Sequence, residues 1–268
     1  MTAPPDDRPL GALLRGWRER AGFSQLELAL RADSSARHIS FIETGRTAPS
    51  REMVLRLADT LDVPVRERNA LLLAAGFAPA FPATPLDDPA LDILRGHLER
   101  MVAAYDPYPA LVVDGVYNVL AANRGVATLS EGVAPHLLEP PLNAMRLTLH
   151  PEGLAPRIRN LPEWRGHLLD QMSRQLALHR SSALRAVYEE VEAYPLPPGS
   201  EERAERAGDE SPFALPMLVE HDGGVLSFLS TITTFNTPVD VTVSELAVET
   251  LLPADPATAK ALQEAVGV

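Results

Sequence analysis

The residues with the clearest chemical potential lie in a short polar and basic segment, SSARHISFIETGR (34–46). Ile39 and Ile42 fit the buried side of one short helix, which leaves the opposite side to other side chains. Arginine can donate two parallel hydrogen bonds to guanine in the DNA major groove, and small or apolar side chains can contact phosphates or thymine methyl groups. The outward side chains of this predicted helix are Ala36, Arg37, Ser40 and Phe41.

A second group of candidate residues lies further along the chain. A helix predicted from Pro162 carries an apolar stripe that His167 and two Gln interrupt. Buried polar groups need partners, which a ligand head group or a nearby carbonyl could provide. Arg146 and His150, one helical turn apart, could neutralise a carboxylate or form surface ion pairs. Asn123 follows a predicted hairpin and could cap the next helix or contact a ligand.

Apolar side chains around these positions predict one cavity for an apolar molecule. A long-chain acyl ligand suits this segment better than a nucleotide, because it offers many apolar walls and no glycine-rich phosphate cradle. Arg146, His150 or His167 would lie near the mouth and meet a carboxylate. The predicted walls are Leu111, Val113, Val119, Met145, Leu149, Trp164, Leu168 and Met172.

Other kinds of chemistry find little support. None of the seven His forms an HExxH motif or a ligand pair, there is no Cys, and nucleophile-elbow, dinucleotide and P-loop motifs are absent from the sequence. We therefore predict no catalytic residue, no metal and no cofactor. No apolar run approaches the roughly 20 residues that span a bilayer. The first residues lack the features of a signal peptide, so we expect a soluble cytoplasmic protein without a membrane partner.

Five short helices must position the basic segment. Ser24 and Glu27 form a capping box at the start of the second helix, and the turn at Asp33–Ser35 separates it from the third. Two helices joined by such a turn predict a helix-turn-helix, although the same periodicity fits a plain helical bundle. Further boundary signals are Gly22, Gly45 and Gly76 as helix stops, Ser50 as the cap of the fourth helix and Pro64 at the first position of the fifth.

Charge and proline content divide the chain of 268 residues, whose net charge is −12. Residues 1–80 carry 11 Arg and 10 acidic residues, whereas residues 81–268 carry 13 basic and 26 acidic residues. Four Pro fall between positions 79 and 89 and would break any helix there. We predict a helical domain over 1–78, a linker over 79–89 and a second domain over 90–268.

The second domain alternates between strand and helix patterns, which predicts an α+β fold. One hairpin is expected to turn at Asp114 and Gly115, and another joins Phe213–Glu220 to Val225–Thr234 across the sequence HDGG. The remaining predicted elements are helices over 142–149 and 162–193, a mobile acidic loop over 200–210, a last strand over 246–252 and a short tail helix.

Residues of the helical domain also carry a family resemblance. Gln25, Leu28 and Ala29, then ISxIExGR (39–46) and Pro49, resemble the Xre/Cro, lambda-repressor-like helix-turn-helix family over residues 9–76. The resemblance implies five helices. It also implies that Gln25 and Arg46 contact DNA phosphates and that Arg37, Ser40 and Phe41 face the base edges. Ser35 and Ala36, at the start of the third helix, belong to the same DNA-contact set. It also implies a structural ion pair between Arg18 and Glu43.

The second domain resembles the ligand-binding domain of MmyB-like transcription regulators over residues 90–260. The resemblance rests on PYPALVVDGVYNVLAAN (107–123), NAMRLTLHPEGLAPRIRN (143–160), EWRGHLL (163–169) and TPVDVTVSELAVETLLPADP (237–256). It implies a PAS-like fold with a five-stranded antiparallel sheet and helices around a pocket for a small apolar molecule. A fatty-acid-like ligand is the expected class.

These observations favour a ligand-responsive transcription regulator that binds operator DNA as a homodimer on two half-sites. One alternative is an enzyme acting on a small apolar substrate, with the helical domain serving as a partner-binding module. An antitoxin-type protein is a third hypothesis, which the large second domain disfavours.

Overall fold

The computed structural model describes residues 9–179, 181–200 and 214–267, and their contacts form two compact units. The first unit ends at Thr84 and also includes Thr237–Ser244, a segment from much later in the chain. The other described residues form the second unit. The division between Thr84 and Pro85 falls inside the segment that the prolines mark as a linker.

The first unit contains the five predicted helices, and local signals explain their boundaries. The hydroxyls of Ser24 and Ser50 accept hydrogen bonds from the backbone N–H groups three residues later, which confirms both predicted caps. Pro64 is the N-cap residue of the fifth helix, one position before the predicted one. The helices are α1 Leu10–Arg20, α2 Gln25–Arg31, α3 Ala36–Glu43, α4 Arg51–Thr60 and α5 Val65–Ala74.

Their apolar faces form one core, in which Leu28, Ile39, Ile42, Leu57 and Leu72 are almost completely buried. Each lies at the helical spacing that the sequence shows, so burial of these side chains accounts for the mutual packing of short helices that would be marginal alone.

The second unit consists of one five-stranded sheet and the helices around it, which confirms the predicted α+β fold. Its strands are β1 Ala110–Val113, β2 Val119–Ala122, β3 Met217–His221, β4 Gly224–Thr234 and β5 Ala247–Pro253. Their order is β2-β1-β5-β4-β3, and every neighbouring pair is antiparallel. The helices are α6 Asp92–Ala103, α7 Arg124–Leu129, α8 Ala144–Leu149, α9 Leu161–Leu178, α10 Ser182–Glu192 and, after β5, α12 Pro256–Val266, with α11 described below.

Some local predictions in this unit need correction. The β1–β2 connection runs from residue 114 to 118, and its positive φ of 67° occurs at Tyr117 and not at Gly115. The Asp114 carboxylate accepts hydrogen bonds from the N–H groups of Val116 and Asn118, so an Asx-type loop replaces the predicted tight turn. The predicted helix over 162–193 is two helices, α9 and α10.

The second hairpin forms as predicted, with Asp222 and Gly223 at positive φ between β3 and β4. This two-residue turn matches the twist of the strands because both residues adopt left-handed backbone angles. Phe213 lies outside the described residues, as does the predicted acidic loop except for Ser200.

The two faces of the sheet have different roles. Ala110, Val112 and Val248 point to one face and pack with Leu98 and Val102 of α6. The alternate positions belong to a larger core on the opposite face, which includes residues of α7 to α10. The period of two along each strand thus places Leu111, Glu249 and Leu251 on the side of α8 and α9.

The segment Thr237–Ser244 connects β4 to β5 and contains a short helix, α11 Val241–Ser244. The Asp240 carboxylate accepts hydrogen bonds from the Thr84 hydroxyl at 2.6 Å and the Thr84 N–H at 3.1 Å. The N–H of Val241 donates to the Pro82 carbonyl at 2.8 Å. Burial opposes ionisation of Asp240, but hydrogen bonds from Thr84 and the Val243 and Thr242 amides outweigh it and lower its pKa.

We expect Asp240→Asn to loosen this segment, because the amide accepts fewer hydrogen bonds than the carboxylate. Hydrogen exchange of peptide 237–244 should accelerate by about 10- to 150-fold, which corresponds to about 1.5–3 kcal/mol for bonds to a charged group. Because the folded-state pKa is lowered, the wild-type stabilisation is present above the ordinary Asp pKa and is lost as pH falls through the folded value. Asp87→Asn, at an exposed carboxylate three residues after Thr84 in the sequence, should leave exchange unchanged; equal exchange in both variants would contradict this role.

Candidate nucleic-acid interface and ligand pocket

The structure presents α3 as the sequence predicts, with one buried side and one outward side. Ile39 and Ile42 are buried in the core, whereas Arg37 is exposed and Ser40 and Phe41 are half-buried. Ser35 caps the helix by accepting a hydrogen bond from the His38 N–H. Ala36 is half-buried at the first helical position.

Phe41 brings two cations together on the outward side of α3. The guanidinium carbon of Arg37 lies 5.2 Å from the centre of the Phe41 ring, and that of the exposed Arg46 lies 5.7 Å from it. Both distances are within the range of cation–π attraction. We call Arg37, Ser40, Phe41 and Arg46 the α3 surface; it combines two positive charges with an apolar ring, which suits phosphate and thymine-methyl contacts.

Glu43 fixes α3 to the two preceding helices from the buried side. Its carboxylate accepts hydrogen bonds from Arg18 at 2.6 and 3.1 Å, from Gln25 Nε2 at 2.8 Å and from Arg15 at 3.4 Å. Burial opposes ionisation, yet these donors outweigh it and lower the pKa of Glu43. The Arg18–Glu43 pair is therefore present, and Gln25 donates one of the two N–H groups of its amide to Glu43, so at most one N–H of this amide remains for a phosphate.

A close backbone approach supports the same contact. A Cβ atom added to Gly11 of α1 would lie 2.4 Å from the carbonyl oxygen of Glu43, a distance that no side chain tolerates. Only glycine therefore allows α1 to reach the end of α3 and lets Arg15 and Arg18 meet the carboxylate.

The second unit contains an apolar pocket of about 60 Å³ between the sheet and α7, α8 and α9. Four of the predicted wall residues line it: Leu111, Met145, Trp164 and Leu168. The other lining residues are Pro109, Val126, Leu129, Ser130, Ala144, Leu147, Thr148, Leu154, Met217, Glu249 and Leu251.

The structure places the other predicted apolar residues close by. Val113, Leu149 and Met172 are buried in the same core but do not line the pocket, and the half-buried Val119 packs against that core. Side chains of strands and helices therefore converge as the apolar pattern predicts, although sequence alone did not separate packed from pocket-lining positions.

The predicted polar ligand residues have protein partners. Arg146 pairs with Glu190 of α10 through two hydrogen bonds of 2.9 and 2.7 Å, which raises the Arg146 pKa and lowers that of Glu190. Asn123 accepts from the Ala110 and Val126 N–H groups and donates to two backbone carbonyls. His167 packs against the Trp164 ring at 5.4 Å between centroids. None of the three lines the pocket.

His150 lies in a separate surface cluster. Its ring contacts those of Tyr194 and His136, and its Nδ1 accepts a hydrogen bond from the Glu152 N–H. Candidate ligand atoms of His136, His150 and Glu152 lie within 4.8 Å of one another, a grouping that no short histidine motif in the sequence indicates. His136 and His150 are 14 residues apart in the sequence, and Glu152 follows His150 by two residues, so the chain must fold to bring them together.

Sequence reasoning missed Glu249, the one ionisable side chain on the pocket wall among the described residues. It is half-buried, accepts a 2.9 Å hydrogen bond from the Ser230 hydroxyl, and has a pKa raised by burial. The available signal was the alternation of β5, which puts Ala247, Glu249 and Leu251 on one face and so places a charge among apolar neighbours.

Comparison with known proteins accounts for this combination of units. Residues 94–265 match the family model described as MmyB-like transcription regulator ligand binding domain, which covers most of the chain. The chain belongs to this family. Residues 9–71 match a helix-turn-helix domain, so this MmyB-like regulator joins a DNA-binding module to a ligand-binding domain.

Other comparisons add no functional argument for the MmyB-like regulator. No curated protein matches it. A solved structure titled "Structure of an RNA-binding Light-Oxygen-Voltage Receptor" is 16% identical, with a TM-score of 0.29. The alignment covers 96% of this chain and 60% of that one, so the regulator spans less than two thirds of its length. Among the described helices of the regulator, none is both long and apolar enough to cross a membrane.

Proposed function

We propose that this protein binds operator DNA through the α3 surface and changes its DNA affinity when a fatty-acid-like molecule occupies the pocket. The observation that carries the proposal is the presence, in one chain, of a helix-turn-helix unit and of an MmyB-like domain with an apolar pocket. Such a regulator acts where the DNA is, so we assign it to the cytoplasm.

On the DNA side, Arg37 reads a base while Arg46 and Gln25 hold the helix on phosphates. The exposed guanidinium of Arg37 and the half-buried Ser40 and Phe41 are placed on the outward side of α3, where a helix entering the major groove presents its side chains. Ser35 and Ala36, at the N-terminus of α3, approach the sugar-phosphate backbone of the DNA. One module of this size contacts few base pairs, so a homodimer on two half-sites about one helical turn apart completes the interface.

On the ligand side, the small pocket volume is itself informative. A cavity of about 60 Å³ is smaller than the 150 Å³ engineered cavity that admits benzene. A long acyl chain therefore enters only if wall residues of α8, α9 or the sheet move apart. Ligand binding thus favours an expanded conformation over the observed one, which is the differential affinity that a ligand-driven switch requires.

The chain path offers a route from the pocket to the DNA-binding unit. Glu249 and Leu251 of β5 line the pocket, and β5 begins three residues after Ser244, the end of the segment that belongs to the first unit. We infer that a ligand-driven displacement of β5 would act on Thr237–Ser244 through this short stretch of backbone.

A substitution that fills the pocket tests the ligand proposal. Ala144→Leu places three additional carbon atoms in a cavity of about 60 Å³, and we expect it to reduce the affinity for dodecanoic acid at least tenfold. Ala127→Leu, at an exposed position of α7, is the matched control and should bind like the wild type. Isothermal titration at pH 6 measures the affinity, and a gel shift with genomic operator fragments measures its effect on DNA binding.

Native mass spectrometry of the purified chain provides the complementary observation. A co-purified acyl compound that Ala144→Leu loses would support the proposal. Absence of bound lipid, together with unchanged melting on addition of C8 to C18 acids, would refute the acyl ligand; absence of any gel shift at 50 mM salt would refute operator binding.

A further inference from the structure

One residue of the pocket wall carries a polar donor without a partner among the described residues. Trp164 is 3% exposed and lines the pocket, and its indole Nε1 has no hydrogen-bond partner within residues 9–179, 181–200 and 214–267. A buried N–H without an acceptor loses the hydrogen bond that it makes to water in the unfolded chain, so an acceptor supplied by a ligand would recover this energy. The orphan N–H therefore indicates where a polar ligand atom binds.

Glu249 supplies the complementary group on the same pocket wall. Ser230 donates to its Oε1, which leaves Oε2 without a protein donor among the described residues. Its cross-strand neighbours, Leu111 of β1 and Ile232 of β4, are apolar. No Lys, Arg or His of the described chain lines the pocket.

The other titratable groups around Glu249 do not neutralise it. Burial, and to a smaller extent the charge of Glu249, raises the pKa of Tyr117 in the β1–β2 loop to about 12, so the phenol stays neutral. Gln171 of α9 donates a hydrogen bond to the Tyr117 oxygen. The positive charge of Arg174, an exposed residue of α9, lowers the pKa of Tyr117 slightly but does not reach Glu249 as an ion-pair partner among the described contacts. Burial raises the pKa of Glu249, so the carboxyl keeps its proton to a higher pH than an exposed Glu.

We propose that this pocket binds the polar end of its apolar ligand as an uncharged O–H group, held between the Trp164 indole N–H and the Glu249 carboxyl. This inference rests on the proposed ligand-binding function and specifies the head group. The ligand oxygen accepts from the indole, and the ligand O–H donates to Glu249. A long-chain alcohol meets this requirement, and so does a carboxylic acid that is bound with its proton.

The arrangement gives alcohols and acids different pH dependences. A carboxylate beside Glu249 forms two like charges without a cation, so the bound pair must share one proton. Acid binding therefore weakens by up to about tenfold per pH unit above the pKa of Glu249, because that proton must then be taken from solution. An alcohol brings no charge and binds either form of Glu249.

The test measures binding of 1-dodecanol, dodecanoic acid and dodecylamine to the full chain by isothermal titration at pH 6, 7.5 and 9, below the micellar concentration of each. For the wild type we expect alcohol affinity to stay within threefold across this range and acid affinity to fall at least tenfold. Glu249→Gln should abolish that fall and strengthen acid binding at pH 9 at least tenfold, while alcohol affinity stays within threefold. A merely structural role of Glu249 would weaken both ligands.

Trp164→Phe keeps an aromatic wall and removes the donor, so both ligands should weaken by about three- to tenfold. Acid affinity that does not fall between pH 6 and 9, or tightest binding by the amine, would overturn the head-group inference while leaving an apolar-ligand pocket. Failure of all three compounds to bind wild-type protein at every pH would instead overturn the proposed acyl-ligand function, and this inference with it.

Discussion

Replacing Glu43 by alanine is expected to destabilise the helix-turn-helix unit by about 3–5 kcal/mol, the cost of leaving a buried charge without its partner. The Glu43 side chain is 0% exposed and that of Arg18 is 11% exposed, so water cannot take over the hydrogen bonds. Since small domains are stable by only about 5–15 kcal/mol, this loss removes a large share of the free energy of unfolding. Urea unfolding in a Trp164→Phe background, where Trp17 is the remaining tryptophan of the sequence, measures it by fluorescence.

The exposed pair Arg31–Glu27 provides the control. It is an i,i+4 pair with both side chains about half exposed, so Glu27→Ala should cost less than about 1 kcal/mol. The pH dependence has a defined sign: because the folded-state pKa of Glu43 is lowered, its stabilisation is present above the ordinary Glu pKa and is lost as pH falls through the folded value. Equal stability of Glu43→Ala and Glu27→Ala would show that the buried network contributes nothing.

Arg37→Ala should reduce affinity for the preferred operator by about 5- to 150-fold, corresponding to about 1–3 kcal/mol for a bidentate base contact. Arg37 is the exposed cation at the second position of α3, and Phe41 holds its guanidinium through a contact of 5.2 Å. Loss of this side chain should also relax the preference at one base position. Operators selected from a random DNA library, with affinities from fluorescence anisotropy, measure both effects.

Two comparisons separate base reading from charge. Arg46→Ala should weaken all sequences alike and reduce the salt dependence by about one phosphate contact. Arg100→Ala removes the same charge from the second unit and should leave operator affinity unchanged. The assignment of Arg37 would be wrong if Arg37→Ala, with its melting temperature preserved, bound the selected operator as tightly as the wild type.

Elements whose stability depends on nearby residues could be predicted from the sequence. Caps at Ser24 and Ser50, glycine stops at Gly22 and Gly45, and apolar spacing of 3.6 residues fix α1 to α4, because each signal acts within one or two turns of the chain. The five-stranded sheet also followed from the pattern and from the family resemblance. The conformation of the β1–β2 connection was not predicted, because Asp114 forms Asx-type hydrogen bonds and the positive φ occurs at Tyr117.

Which polar side chains pair with one another could not be predicted without the folded chain. Arg146 pairs with Glu190, 44 residues away in the sequence, and Asp240 binds Thr84, 156 residues away, so local spacing could not predict either partner. The pocket follows the same rule: the pattern marked Trp164 as inward, but packing left its N–H without an acceptor and placed Glu249 on the same wall. Periodicity specifies which side of an element is buried, whereas the identity of the partner depends on elements that only the folded chain brings together.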